Sequence, residues 1–366
     1  MRNKHFIVGP VELYQSTRDV YQKNFTYFRT TEFGDMVKES LNKLNKLIGN
    51  SVENSLIYLT ASGTAAMEAV IENCFNLSDK AIVINGGTFG RRFCELLGYH
   101  NILFDEIKLE WGETLKEKHL QKYIGQKHTA LFVNLHETST GQLYDIKMLS
   151  DFCQKNNLLL VVDAISTFLS DEYNMEKYGI DVTIISSQKG LCLSPGLSFL
   201  SFSNRMLNRI NACEKTASKY FDFKDYLKNI TRGQTPYTPA VFIMYELHDM
   251  LEQLDKEGGI EQRLKYIEEK CKYFREKAKE NGFKIPNYPL SNMLTPIIFG
   301  DVKATEVLQI LRERYHLFVN PCGGDLADKL CRVSHIGNTT IDDIDNLIDK
   351  LKSVIKELRK KEILLW

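Results

Sequence analysis

Short apolar runs alternating with helix-like stretches constrain this chain more than any other feature. The runs fall at 55–59 (SLIYL), 81–85 (AIVIN), 130–135 (ALFVNL), 158–163 (LLLVVD), 182–186 (VTIIS) and 197–202 (LSFLSF). Several are apolar throughout instead of alternating, the pattern of strands covered on both faces. Between them lie helical patterns such as 65–75 and 148–156. Strand–helix alternation of this kind predicts an α/β fold with a mostly parallel sheet and right-handed crossovers.

At 366 residues the chain exceeds one core of ordinary size, so a large domain with a smaller one packed beside it is expected. The character of the sequence changes near residue 240. A long charged helical stretch, 245–281, is interrupted by Gly258-Gly259 and followed by Pro286, Pro289 and a shorter mixture of strands and helices. This predicts an arm over residues 1–20, a large domain over 21–250 and a smaller C-terminal domain over 251–366. The segment 341–361 reads as a charged amphipathic helix, and the apolar tail ILLW after it as packing or an interface.

Composition removes several classes of function. Lysine plus arginine (47) balance aspartate plus glutamate (47), so nothing advertises nucleic acid, and local arginines must supply any anion binding. The eight cysteines include no C-x-x-C pair and no Cys/His cluster with zinc spacing. No metal site is expected, and free thiols in a reducing cytoplasm are. The N-terminal MRNKHFIVGPVELY lacks the apolar stretch of a signal peptide, and no run approaches the ~20 apolar residues of a membrane span. A cytoplasmic protein without a membrane partner is the expectation.

In an open α/β sheet, ligands bind at the carboxyl ends of the strands, so the residues after each run carry the information. Run 55–59 is followed by Thr60-Ala-Ser62-Gly63-Thr64 and a helix. A small turn opening a helix presents free N–H groups and the positive end of the dipole, either a phosphate site or an ordinary capped turn. Run 81–85 leads to Gly86-Gly-Thr-Phe89-Gly-Arg-Arg92, where Phe89 either stacks on a flat cofactor or is a partly buried loop aromatic. The third run precedes His136-Glu-Thr-Ser-Thr-Gly141, a loop dense in hydroxyls, with His136 and Glu137 read as structural. Asp163 ends the fourth run, where ionisation is costly unless a cation, such as a protonated pyridine nitrogen, meets it; a metal or a helix cap are the alternatives. Lys189 follows the fifth run in Ser186-Ser-Gln-Lys189-Gly, placed either to lose its proton and act as an imine nucleophile or to snorkel outward. Each signal alone has a bland explanation. Together, a phosphate turn, a stacking ring, a carboxylate for a ring nitrogen and an imine lysine describe a site for pyridoxal 5′-phosphate (PLP).

At these residues the chain resembles class V aminotransferases of fold type I, within which it is most similar to the alanine–glyoxylate, serine–pyruvate and 2-aminoethylphosphonate–pyruvate transaminases. The likeness runs from Val8-Gly-Pro10 to Arg332-Val-Ser-His-Ile-Gly337, through SGTAAMEA (62–69), the G-x-F-G-x-R turn (87–92), ETSTG (137–141), VDAIS (162–166) and SQKGLCLSPG (187–196). It implies a large PLP-binding domain with a smaller C-terminal α+β domain. It also implies that Lys189 links to the cofactor and shuttles a proton, that Asp163 keeps the pyridine nitrogen protonated, and that Phe89 stacks on the ring. Thr138 would bond the ring's phenolic oxygen or Asp163. Ser62, Gly63, Thr64 and Gln188 would belong to the cofactor cup, with Thr235 and Thr238 reaching the phosphate from the neighbouring subunit of a homodimer with shared sites. Arg332 would grip the substrate α-carboxylate, with Gly9 and Pro10 lining the substrate pocket. Arg29 and Glu32 match an N-terminal family motif and read as interface structure.

The implied activity is amino transfer from a small donor of the alanine or serine type to a 2-oxo acid such as glyoxylate or pyruvate, by a ping-pong cycle. Aminoethylphosphonate is the competing donor, although the SQK before the active-site helix leans away from that branch. A PLP lyase or cysteine desulfurase is the other enzyme class, but such enzymes typically carry histidines where this chain has Phe89 and Gln188. The stretch 323–330 (GGDLADKL) and RVSHIG depart from the usual family pattern close to where Arg332 would meet the substrate.

Overall fold

The computed structural model describes residues 3–213 and 218–363. The chain opens with a short strand, β1 (Lys4–Phe6), and two helices, α1 (Gln15–Asp19) and α2 (Thr31–Ile48). An alternating stretch follows: β2 (Leu56–Leu59), α3 (Gly63–Cys74), β3 (Lys80–Asn85), α4 (Thr88–Tyr99), β4 (Leu103–Lys108), α5 (Glu117–Gln121) and β5 (Ala130–Asn134). After a small hairpin, β6 (His136–Glu137) and β7 (Gln142–Leu143), come α6 (Ile146–Lys155), β8 (Leu159–Asp163), β9 (Val182–Ser186) and β10 (Ser198–Phe202). Helices α7 (Asn204–Ala212), α8 (Phe223–Ile230), α9 (Val241–Lys256) and α10 (Gly259–Glu280) then lead into the last part of the chain. It contains β11 (Leu294–Ile298), α11 (Ala304–Tyr315), β12 (Leu317–Pro321), β13 (Leu330–Ser334) and α12 (Ile341–Ile363).

Seven strands form one sheet in the order β2-β10-β9-β8-β5-β3-β4. From β4 to β9 every pairing is parallel, whereas β10 runs against both its neighbours, β9 and β2. Two reversals restore the direction, so β2 points the same way as β9. The carboxyl ends of β2, β3, β5, β8 and β9 therefore open on one edge of the sheet, and every residue singled out for chemistry after an apolar run follows one of them.

All six apolar runs are strands of this sheet, and their uniform apolarity has the expected cause: β5, β8, β9 and β10 are buried along their whole length. Each large aliphatic side chain so covered contributes about 1.5–3 kcal/mol. Strand β4 has no counterpart among those runs, because its LFDEIK is an edge strand with a mostly unburied face and so never forms an apolar run. The reversed direction of β10 was equally illegible, because a strand covered on both faces is uniformly apolar in either direction.

The long charged stretch is two helices, α9 and α10, broken at Gly258-Gly259. Their buried faces go to different places. Ile243, Met244, Leu247, Met250, Leu251 and Leu254 of α9 join the apolar cluster that surrounds the seven-stranded sheet. Phe274 and Ala278 of α10 join a second cluster with Ile297, Leu311, Val333 and Leu351. That cluster lies on a four-stranded sheet ordered β1-β12-β13-β11, in which β1 runs parallel to β12. Strand β1 thus brings the start of the chain, with the buried Phe6, to the C-terminal sheet. The side chains of the ILLW tail lie outside the described residues. Among the described residues no helix is long and apolar enough to cross a membrane.

Candidate active site

A cavity of about 240 Å³ opens at the carboxyl edge of the large sheet. Gly9, Pro10, Ser62, Gly63, Thr64, Phe89, Thr138, Asp163, Gln188 and Lys189, ten residues from six separate segments, all line it.

Asp163 is the last residue of β8, paired in register with Asn134 on one side and Ile184 on the other. Its Oδ1 accepts a hydrogen bond from the Ile165 N–H at 2.9 Å. Burial nevertheless pushes its carboxyl up to about 6, with the Ile165 N–H and the Lys189 charge opposing the shift. Lys189 lies just beyond β9 and is 9% exposed. Burial pulls its ammonium down to about 8, the Arg332 charge acting the same way and Asp163 against it. The two groups thus pull each other toward ionisation against a burial that resists it. The stem of Lys189 is covered by backbone: a Cβ on Gly9, whose φ is +137°, would sit 2.7 Å from Lys189 Cδ. Only glycine tolerates both that conformation and that approach.

The turn after β2 is built as a helix start. Ser62 is the N-cap of α3, its Oγ accepting from Ala65 N at 3.3 Å. Gly63 opens the helix where a Cβ would collide with Ile165 Cδ1 at 2.3 Å, so this turn can approach the turn after β8. The first N–H groups of α3 and its dipole are left for an anion. After β3, the N-terminus of α4 is held by Glu137, which is fully buried. Its carboxylate accepts from Phe89 N at 3.2 Å, Gly90 N at 3.1 Å and Asn134 Nδ2 at 3.0 Å, and also from the Ser139 hydroxyl. Glu137 therefore fixes the turn that carries Phe89, the structural role expected of it. His136 donates through Nδ1–H to the Ser166 carbonyl, 3.0 Å away, and burial lowers it to about 3, so it is a neutral imidazole.

Thr138 lies in the cavity wall, and its hydroxyl donates to Ser166 Oγ at 2.8 Å, not to Asp163. Ser166 also lines the cavity, as do Arg92, Met67, Ile165 and Pro195, none of which received a role from the sequence. Of these, Arg92 had a legible signal: it stands three residues after Phe89 at the start of a helix, which puts the two side chains on one face.

Arg332, on β13 of the small sheet, is brought to the rim. Its Nη1 donates to the Thr138 carbonyl at 2.8 Å and Nη2 to the Pro321 carbonyl, while the buried Nε has no partner. Two carbonyls thus orient the guanidinium and leave donors to spare. Thr235 and Thr238 do not join the cavity. The Thr235 hydroxyl donates to the Tyr237 carbonyl at 2.7 Å, and Thr238 is exposed. Arg29 braces the same loop, with Nη1 2.8 Å from the Thr235 carbonyl and Nη2 3.2 Å from that of Pro236, while Glu32 is exposed in the first turn of α2.

The family model for class V aminotransferases matches residues 12–347. The chain belongs to this family. A relative described as the soluble hydrogenase 42 kDa subunit of Anabaena cylindrica is 28% identical over 96% of this chain and 93% of its own length. A serine–glyoxylate aminotransferase of Arabidopsis thaliana is 25% identical over 92% of this chain and 86% of its own. Among solved structures, an alanine–glyoxylate aminotransferase from a Nostoc species superposes with a TM-score of 0.90 at 24% identity, covering 97% of this chain and 96% of that one. The fold is that of the fold type I PLP-dependent transferases, and the chain is a PLP-dependent aminotransferase.

The residues present fit that cofactor. Asp163 is a buried carboxylate raised by desolvation, and among the described residues no ion pair joins it to a cation, which leaves the place a pyridinium would take. Lys189 is a buried amine in the same cavity, and the α3 N-terminus offers an anion cradle.

Proposed function

We propose that this enzyme transfers the amino group of a small amino acid, of the alanine or serine type, to a 2-oxo acid such as glyoxylate or pyruvate, in two half-reactions at one site. The observation that carries the assignment of the site is the presence of Asp163 and Lys189 in one cavity, each buried and displaced from its ordinary protonation behaviour. PLP, when bound, supplies the electron sink for the substrate's α-carbanion. The protein's part is distributed among its own residues. Lys189 would hold the cofactor covalently and, once displaced by the amino donor, its nitrogen would carry the proton from the donor's α-carbon to the cofactor's C4′. Asp163 holds a proton on the ring nitrogen. Ser62, Gly63, Thr64 and Gln188 receive the phosphate, Phe89 packs on the ring, and Thr138 with Ser166 faces its polar edge. Arg332 binds the substrate α-carboxylate through a fork already oriented by two carbonyls, and Gly9 and Pro10 close the pocket around small side chains.

The cavity of about 240 Å³ that cofactor and substrate would share supports a short side chain, and the glyoxylate activity named for a relative spanning nearly the whole chain supports the acceptor class. Cys322 stands at this rim, bonded through sulfur to the Ser139 carbonyl at 3.5 Å, and burial pushes its thiol up. A buried thiol held in the protonated form is ill suited to carry a persulfide, which argues against a desulfurase.

A homodimer completes the reading. Thr235 and Thr238 would serve the partner's phosphate cup, and the face carrying them shows an aromatic patch: Tyr21, Phe25 and Tyr27 are 53%, 51% and 65% exposed, and the first two pack on Phe242. Apolar surface of this kind is normally covered in an assembly.

The test is a half-reaction screen. PLP-loaded protein is mixed in turn with alanine, serine, aspartate and aminoethylphosphonate, and loss of the yellow absorption is followed. Rapid bleaching by alanine or serine is expected. Faster bleaching by aminoethylphosphonate would move the enzyme to the phosphonate branch, and sulfide release from cysteine without a keto acid would move it to the desulfurases.

A further inference from the structure

Arg92 lines the cofactor cavity, yet nothing above gives it a task. It stands in the first turns of α4, three residues after Phe89, and its guanidinium carbon lies 4.9 Å from the centre of the Phe89 ring. Its Nη1 donates to Thr64 Oγ1 at 3.0 Å. Thr64 belongs to the first turn of α3, after β2, whereas Phe89 belongs to the turn after β3. One side chain therefore ties together two turns that approach the cavity from different strands. A flat guanidinium suits this double task, because it stacks on a ring face while donating in its own plane.

The charge has its own consequence. Among the described residues no carboxylate forms an ion pair with Arg92. Its field is felt by both titrating groups of the cavity, opposing the proton on Lys189 and favouring the ionised form of Asp163. A mere spacer between two turns would need neither the charge nor a place on the cavity wall.

We propose that Arg92 is a positioning residue for the cofactor, fixing the Thr64 hydroxyl and the Phe89 ring where they receive phosphate and ring, and setting an unpaired positive charge within reach of Lys189. The inference rests on the assignment of Lys189 and its cavity to PLP. It adds two separable effects: one acts through Thr64 on the phosphate, the other acts through space on the lysine nitrogen.

Variants Arg92→Met and Arg92→Lys separate them, with Thr64→Val as the partner of a double-mutant cycle. Wild type is titrated first with PLP; a wild type that takes up none removes the underlying assignment, and the question about Arg92 falls with it. With a wild type that binds, Arg92→Met is expected to weaken PLP about fivefold, the scale of one lost hydrogen bond. Binding of pyridoxal, which lacks the phosphate, should change far less. The loss should not add to that of Thr64→Val, since both remove the same contact. The second readout is the pH midpoint of the visible absorption of the lysine-linked cofactor. Removing a positive charge makes protonation easier, so the midpoint moves upward in Arg92→Met. Arg92→Lys keeps the charge and loses the fork, so the midpoint stays while the PLP affinity falls. Should Arg92→Met fail to fold, judged by its far-ultraviolet circular dichroism, Arg92→Lys decides by that same split. Equal losses for PLP and pyridoxal, additive losses with Thr64→Val, or a midpoint that Arg92→Met leaves in place would overturn the proposal.

Discussion

Among the described residues two lysines are buried, and burial treats them alike: Lys189 is 9% exposed, Lys270 is 1% exposed, and both are pulled from an ordinary 10.5 to about 8. Their surroundings differ. Lys189 faces a cavity, with Asp163 and Arg332 acting on it from opposite signs of charge. Lys270 is enclosed between α10 and the start of α12, donating to the Thr339 carbonyl at 3.2 Å and lying 4.7 Å over the Tyr266 ring. A lowered proton affinity is thus no mark of a nucleophile. Access for a carbonyl carbon, with a carboxylate and an arginine placed around it, is what distinguishes Lys189.

The widest separation between the two sites comes from removing each amine. Lys189→Ala should lower turnover by at least about a thousandfold. It should also abolish the borohydride-reducible link between protein and PLP. Lys270→Met should keep the link and most of the activity. A link that survives Lys189→Ala, read by mass spectrometry of the reduced protein, would break the comparison outright.

Asp163 sharpens the contrast by setting function against stability. Its carboxyl is raised by burial from 3.8 to about 6, so the cofactor-free protein binds that proton more tightly folded than unfolded. The cost is absent below the unfolded value, grows as pH rises toward 6, and is complete above it. Asp163→Asn should therefore make the cofactor-free protein more stable at pH 7.5 by about 1–3 kcal/mol, while reducing kcat/KM roughly a hundredfold for want of the ring-nitrogen partner. Chemical denaturation without PLP and kinetics with it measure the two halves. A variant that loses activity and cofactor-free stability together would show Asp163 to be a structural cap.

Arg332→Lys is the milder change on the other side of Lys189. It keeps a charge but not the fork, so kcat/KM for α-carboxylate donors should fall roughly ten- to fiftyfold, chiefly through KM. An unchanged KM would take the substrate carboxylate away from Arg332.

Why Lys189 and Asp163 could be picked out of the sequence, and Lys270 could not, is a matter of contrast. Asp163 ends a strand buried on two faces and Lys189 stands three residues beyond another, so each charge stands out beside a uniformly apolar run. Lys270 sits in EEKCKYF, one lysine among many in a charged helix, and only the packing of α10 against Thr339 reveals it. The same logic covers the elements. The buried strands of the large sheet were legible to within a residue, whereas β4, with Leu103 64% exposed, was not, nor was β13, buried throughout but interrupted by Arg332. Site features made by tertiary approach were silent: the turn of the Thr138 hydroxyl toward Ser166, the reach of Arg92 to Thr64, and the two carbonyls that orient Arg332. The arm expected at the N-terminus gave no hint that β1 would pair with β12, because three residues of strand carry no periodicity.

Lys270 itself offers the smallest expected effect and the cleanest sign. A base whose proton affinity is lowered by folding destabilises the fold while it must be charged, so its cost is fully present below about 8 and fades as pH climbs toward the unfolded value near 10.5. Burial is the main cause, and the charges of Arg263 and Lys4 add to it, while Cys192 and Asp343 oppose it. The difference in stability between wild type and Lys270→Met should therefore depend on pH, since other groups that titrate at alkaline pH cancel between the two proteins. Near pH 7 methionine, of similar length and without charge, should be favoured by up to about 2 kcal/mol, the bonds lost to Thr339 offsetting part of the relief. Toward pH 10 that advantage should vanish or reverse, because neutral lysine keeps its bonds to Thr339 at little electrostatic cost. Urea denaturation of the cofactor-free proteins at pH 7 and pH 10 reads the difference. An offset that stays constant across that range would mean that Lys270 keeps its proton in the folded protein as it does in the unfolded chain, and burial would then have failed to act on the two lysines in the same way.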